Sequence, residues 1–107
     1  MENKVYILED EKTLTGKKNI HVKDFFKIVN NTEFDYKIIR INTSCGCTTV
    51  DNYNDTIIKS YTKATIDFQI NMENEQSKYI WVKIDSVSNE EDNEETLSFK
   101  INRHIIE

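Results

Sequence analysis

The chain has 107 residues, 31% charged and 37% hydrophobic, with a net charge of −5 and a sequence pI near 5.1. That length and core fraction bound it to one small domain. The acidic balance and the scattered lysines, of which only Lys17-Lys18 are adjacent, disfavour a nucleic-acid role, and no apolar run reaches the roughly 20 residues that span a bilayer.

Met1-Glu2-Asn3-Lys4 has no basic region followed by an apolar stretch, so no signal peptide is visible: either the protein stays in the cytoplasm where it is made, which Met1 favours, or a leader has been removed. The first apolar run is Val5–Leu8. It stands alone ahead of a polar segment, so it either pairs at home or reaches a neighbouring subunit. Val5, Tyr6, Ile7 and Leu8 are therefore candidate interface residues. Glu9–Asn19 is charged and contains Gly16, and is expected to wrap along a sheet edge or cross between sheets. Residues 1–19 thus read as an N-terminal strand and extended arm, and 20–107 as the core.

The next strand candidates are His21–Val29 and Tyr36–Ile41. Ala64, Ile66, Phe68 and Ile70 then alternate with Thr65, Asp67 and Gln69. Ile80, Val82 and Ile84 alternate with Trp81 and Lys83, and Leu97, Phe99 and Ile101 with Ser98 and Lys100. A period of two marks strands with one buried face. With no proline and two glycines, turns fall to Asn and Asp: Asn30-Asn31-Thr32, residues 51–55 and residues 71–74. The acidic run from Asn89 to Glu95 reads as a solvated hairpin tip. It lacks the ligand order of a calcium loop. The spacing predicts an immunoglobulin-like β-sandwich of about seven strands. Its core is expected from Phe26, Ile28, Ile39, Ile41, Ile66, Phe68, Val82, Ile84, Phe99 and Ile101. Tyr79 and Trp81 fall on the opposite face of their strand. There they are either covered by a loop or arm or mark an interface.

Both cysteines sit in one turn, Asn42-Thr43-Ser44-Cys45-Gly46-Cys47-Thr48-Thr49. This turn, with Phe26–Thr32 and Tyr36–Ile41 before it, resembles a bacterial family of unknown function marked by a Cys-Gly-Cys-Thr turn. That family is similar to the Hydin-type (ASH) and major-sperm-protein-like immunoglobulin folds. The resemblance runs from about His21 to about Ile105. It implies the sandwich fold and no particular activity. Glu33 departs from the glycine that usually follows Asn-Thr, and the absent leader departs from the secreted habit of many members.

Cys45, Gly46, Cys47 and Thr48 are the candidate functional motif. Structural zinc needs four ligands. His21 and His104 could complete the set only if the fold brings them to the turn. A redox role needs a nearby cation or helix N-terminus, and the sequence shows neither. A disulfide across Cys-Gly-Cys would close a strained small ring, and the sequence leaves free thiols, a disulfide or a bound metal open. In a reducing cytoplasm the favoured reading is a pair of free thiols acting as small apolar groups in a tight turn. Gly46 would there supply a backbone conformation closed to other residues, while Ser44, Thr48 and Thr49 satisfy the turn's backbone. No catalytic triad, paired carboxylates or phosphate loop is present in the sequence. The expectation is no catalytic residue, no cofactor, no metal and no small-molecule substrate.

The expected function is a non-catalytic interaction module with protein partners, without nucleic acid or membrane. Its concrete form is an accessory (decoration or cement) subunit of a large assembly such as a bacteriophage capsid, in a virion assembled in the host bacterial cytoplasm. The alternatives are a bacterial envelope or cytoplasmic adaptor that uses the Cys-Gly-Cys turn, and a metal or redox protein.

Overall fold

Strands that alternate apolar and polar side chains must hide one face, and two such sheets hide theirs against each other. In the computed structural model, which describes residues 4–87 and 94–106, the described residues form nine strands and no helix. These are β1 Val5–Leu8, β2 Glu11–Lys17, β3 His21–Asn30, β4 Tyr36–Thr43, β5 Thr48–Val50, β6 Ile57–Ile58, β7 Lys63–Asn71, β8 Lys78–Ser86 and β9 Glu95–Ile106. One sheet has the order β1-β3-β7-β5, the other β2-β9-β8-β4-β6. All pairings are antiparallel except β2 with β9. The architecture is the expected immunoglobulin-like sandwich, with nine strands among the described residues where about seven were expected. Met1–Asn3, and Asn89–Asn93 of the expected acidic tip, lie outside the described residues.

The two sheets meet through Phe26 and Phe68 on one and Phe99 on the other. Phe26 stacks on Phe99 with ring centroids 4.6 Å apart, and Phe68 lies 5.6 Å from Phe99. Ile28, Ile66, Ile70, Ile80, Val82, Ile84 and Ile101 surround them, all fully buried. Burial of each such side chain contributes about 1.5–3 kcal/mol.

Two expectations about the core need correction. Ile38, not Ile39, is fully buried, because a β-bulge between Ile38 and Arg40 inserts one residue into β4. Ile41 beyond the bulge packs against the core but is only partly buried. The segment Glu9–Asn19 crosses between sheets and lines an edge as expected, and it does so with Glu11–Lys17 as a strand of its own. The chain crosses from one sheet to the other at Glu9, whose φ is 57°, and then runs along the edge beside β9. One inward side chain, Leu14, holds it to the core. A Cβ on Gly16 would lie 3.1 Å from Val22 Cγ2 and 3.4 Å from Met72 Cγ, so a small residue is needed where β2 closes on its neighbours.

β1 pairs with β3 over its whole length, and Val5 and Ile7 are buried in the core. These two side chains are therefore not available to a partner. Tyr6 is half-buried and Leu8 exposed.

One end of the sandwich is closed by a buried polar network. Asn30 Nδ2 donates to the carbonyls of Phe34 (2.8 Å) and Ile58 (2.9 Å), and Asn30 Oδ1 accepts from Thr32 N (3.1 Å) and Thr32 Oγ1 (2.7 Å). The Asn-Thr pair of the turn is thus an internal scaffold. Glu33 is exposed and has no positive φ, so glycine is not required there. Tyr36 begins β4 at this end. Its phenol is held above the ordinary value, chiefly by burial and further by the carboxylates of Glu95 and Asp85.

Two outcomes check this account. Asn30→Ala leaves a buried carbonyl without its donor and should cost about 2–4 kcal/mol in urea unfolding. Deleting residues 1–9 should lower the melting temperature by more than about 10 °C, because Val5 and Ile7 leave the core. An unchanged melting temperature would make the strand a free arm after all.

Candidate functional site

At the other end, β4 of the five-stranded sheet turns through residues 44–47 into β5 of the four-stranded sheet. Thr43 Oγ1 donates to the Cys45 carbonyl (3.0 Å), and Thr48 N donates to the same oxygen (3.3 Å). Asn71 N donates to the Cys47 carbonyl at 2.8 Å, tying the turn to the end of β7. Ser44 Oγ accepts from Tyr79 N (2.8 Å), while Ser44 N donates to the Tyr79 carbonyl (3.0 Å). Of the hydroxyls expected to satisfy this backbone, Ser44 does so, and Thr43 adds another. Thr48 is buried, with Oγ1 3.8 Å from Cys47 Sγ.

The expectation of two free thiols is overturned. Cys45 and Cys47 are joined in a disulfide, their Cα atoms 5.3 Å apart and within bridging range. Gly46 also differs from expectation. It has no positive φ, and a Cβ there would meet nothing within 4 Å. Its backbone is open to any residue. What glycine contributes is an exposed tip without a side chain, between two half-buried cysteines.

A cation does stand beside the turn. Arg103 projects inward from β9, continuing the buried series Leu97, Phe99, Ile101, and its side chain is fully buried. Nε donates to the Gln76 carbonyl (2.8 Å), Nη1 to the Asn71 carbonyl (2.9 Å) and Nη2 to Asn74 Oδ1 (2.8 Å). Nη1 also lies 3.8 Å from Cys47 Sγ and 4.0 Å from Glu73 Oε1. The close acceptors are neutral. The one carboxylate is longer and partly solvated. Sequence reasoning missed Arg103, although it occupies the next inward position of a clear alternation.

Cys45, Cys47 and Glu73 place one donor atom each within 4.8 Å of one another. The set does not fit structural zinc. It offers three donors, two of them bonded to each other, with a guanidinium against the same atoms to oppose a cation. His21 and His104 are not in the set. His104 Nδ1 instead lies 3.3 Å from Glu75 Oε2.

The second expected feature lies on the outer face of the five-stranded sheet. Tyr79 and Trp81 stack with centroids 6.0 Å apart and planes 6° from parallel. Trp81 is half-buried and sits between Asn42 on β4 and Ser98 on β9. Lys100 lies across from Tyr79, and Arg40 across from Lys83, on the same face.

Known structures share this fold. The ASH / PapD-like domain 7 of human CEP192 superposes with a TM-score of 0.75 at 12% identity, covering 98% of this chain and 87% of that one. WR4, a C. elegans MSP family member, gives 0.73 at 9% identity, covering 96% of this chain and 100% of that one. The Vibrio cholerae VesB protease gives 0.73 at 7% identity over 94% of this chain and 32% of that one. At these identities the likeness is one of fold. Comparison with curated protein sequences found no match. A family model for proteins of unknown function matches residues 9–102, and the chain therefore belongs to the DUF1573 family.

Proposed function

We propose that this domain is a non-catalytic module that binds another protein through the outer face of its five-stranded sheet. The observation that carries the proposal is the stacked Tyr79–Trp81 pair on that face. Aromatic side chains supply large contact area at low entropic cost and are enriched in interfaces. Lys100 and Arg40 border the pair, while Lys83 is ion-paired with Glu94 at 2.8 Å, so cationic groups edge an aromatic centre on a chain of net charge −5. The complementary surface is a protein patch with apolar groups at its centre and carboxylates at its edge. Overall acidity weighs against a nucleic-acid ligand. The finer expectation, an accessory subunit of a bacteriophage capsid, finds no support in the family match or the similar folds.

The test places a photo-crosslinking residue at Ser98, beside Trp81, or at Lys63 on the other sheet, in the cell that makes the protein. A discrete protein adduct from position 98 alone, lost with Trp81→Ala, is expected. Trp81→Ala should move the melting temperature by only a few degrees, since the side chain lies outside the core. Equal adducts from both positions, or adducts removed by nuclease, would overturn the proposal.

A further inference from the structure

We infer that Cys45 and Cys47 form a reversible dithiol–disulfide site that oxidises a partner dithiol, with Arg103 stabilising the sulfur that leaves. Three observations converge on it. First, a bridge between residues two apart closes a very short loop and constrains the unfolded chain little, so a structural staple is a poor account of it. The core is already closed by the phenylalanines and the Asn30 network. Second, Gly46 has no conformational duty and is exposed, and the cysteines on either side of it are only half-buried, so the bridge lies at the surface end of the turn. Third, the guanidinium of Arg103 is fully buried, and its close acceptors are neutral carbonyls. A buried cation whose carboxylate partner, Glu73, stands 4.0 Å away and is partly solvated keeps charge to spare for an anion formed next to it. Nη1 is already 3.8 Å from Cys47 Sγ.

The two sulfurs have different surroundings. Cys47 packs against the hydrophobic core and faces Arg103. Cys45 has no such contact, and its sulfur accepts from Cys47 N at 3.2 Å. The direction of exchange follows. A partner thiolate attacks Cys45 Sγ and forms a mixed disulfide. The Cys45–Cys47 bond breaks, and Cys47 departs as a thiolate against Arg103. The partner's second thiolate then attacks its own bridged sulfur, closing the partner disulfide and releasing Cys45. Two electrons pass from partner to site. The two protons of the partner's thiols go to Cys45 and to Cys47 or the solvent. Leaving groups of this kind depart faster when their anion is stabilised, and a stabilised reduced form makes the disulfide a stronger oxidant.

The measurement is equilibration of the intact protein in mixtures of reduced and oxidised glutathione. Acid quench, alkylation and mass counting follow. The reference is the free peptide Ser-Cys-Gly-Cys-Thr. A single two-electron transition is expected, with the protein at least tenfold more readily reduced than the peptide, about 30 mV for two electrons. Arg103→Met should move the protein toward the peptide value. Because that variant removes a buried group and could unfold, Glu73→Gln serves as the surface variant. It removes the carboxylate nearest Nη1 and should shift the equilibrium further toward the dithiol. Reaction with glutathione and with reduced thioredoxin, compared by rate, separates a small-molecule thiol from a protein dithiol as the reductant. A protein value equal to the peptide's, or no response to Glu73→Gln in a folded protein, would overturn the inference. So would a bridge that opens only on denaturation.

Discussion

Three phenylalanine rings carry the junction between the sheets. Phe26 and Phe68 come from neighbouring strands of one sheet and Phe99 from the middle of the other, with centroids 4.6–6.2 Å apart. Both cysteines lie in the one turn from β4 to β5, so no disulfide clamps one sheet face against the other. The bridge at Cys45–Cys47 closes a local turn only. Cohesion between layers therefore rests on apolar burial and on these aromatic contacts, which add a modest term beyond area. Everything outside the junction is arranged at its two ends. Asn30 closes one end with neutral hydrogen bonds, and Arg103 closes the other with a charge.

The arginine is the more costly device. Burial of a cation carries a desolvation penalty of several kcal/mol unless hydrogen bonds replace the lost water. Arg103 recovers them from the end of β7 and the hairpin that follows, through the carbonyls of Asn71 and Gln76 and the side chain of Asn74. Glu75 adds a latch by accepting from Ile105 N at 2.9 Å. The hairpin is thus wrapped around the guanidinium. An apolar side chain at position 103 would close the end at lower electrostatic cost. Arginine there makes sense if its charge has a task, and the sulfur within reach is that of Cys47.

Strands with strict alternation were legible from the sequence. Ile66-Phe68-Ile70, Ile80-Val82-Ile84 and Leu97-Phe99-Ile101 all face the core as their spacing predicts. The bulge at Ile39 was not, because a run of apolar residues, Ile38-Ile39 followed by Ile41, fits either phase and only pairing with β8 decides it. β2 was hidden for a related reason. An edge strand with Leu14 as its one deeply buried side chain carries no periodic signal. It is recruited by the free edge of β9, a long-range partner invisible locally. The Cys turn stood out as a motif, but its chemistry depends on Arg103, 56 positions away in sequence from Cys47. Gly46 was assigned a backbone duty that falls elsewhere. The positive φ angles belong to Glu9, Asn19, Asp55 and Tyr61.

The two candidate surfaces are physically joined. Ser44, the residue before Cys45, exchanges two hydrogen bonds with Tyr79, one through its hydroxyl and one through its amide. Tyr79 in turn stacks on Trp81. The path from the bridge to the aromatic face is therefore one residue of turn, one pair of hydrogen bonds and one ring contact. Opening the bridge releases the constraint on the turn at the residue that positions Tyr79. A partner seated on the aromatic face, as proposed, would sit next to the turn that carries the sulfurs. Binding face and exchange site on one sheet end raise the effective concentration of the second event, as with any two linked contacts whose geometry allows both at once. That adjacency gives an interaction module a reason to keep two cysteines around a bare glycine tip.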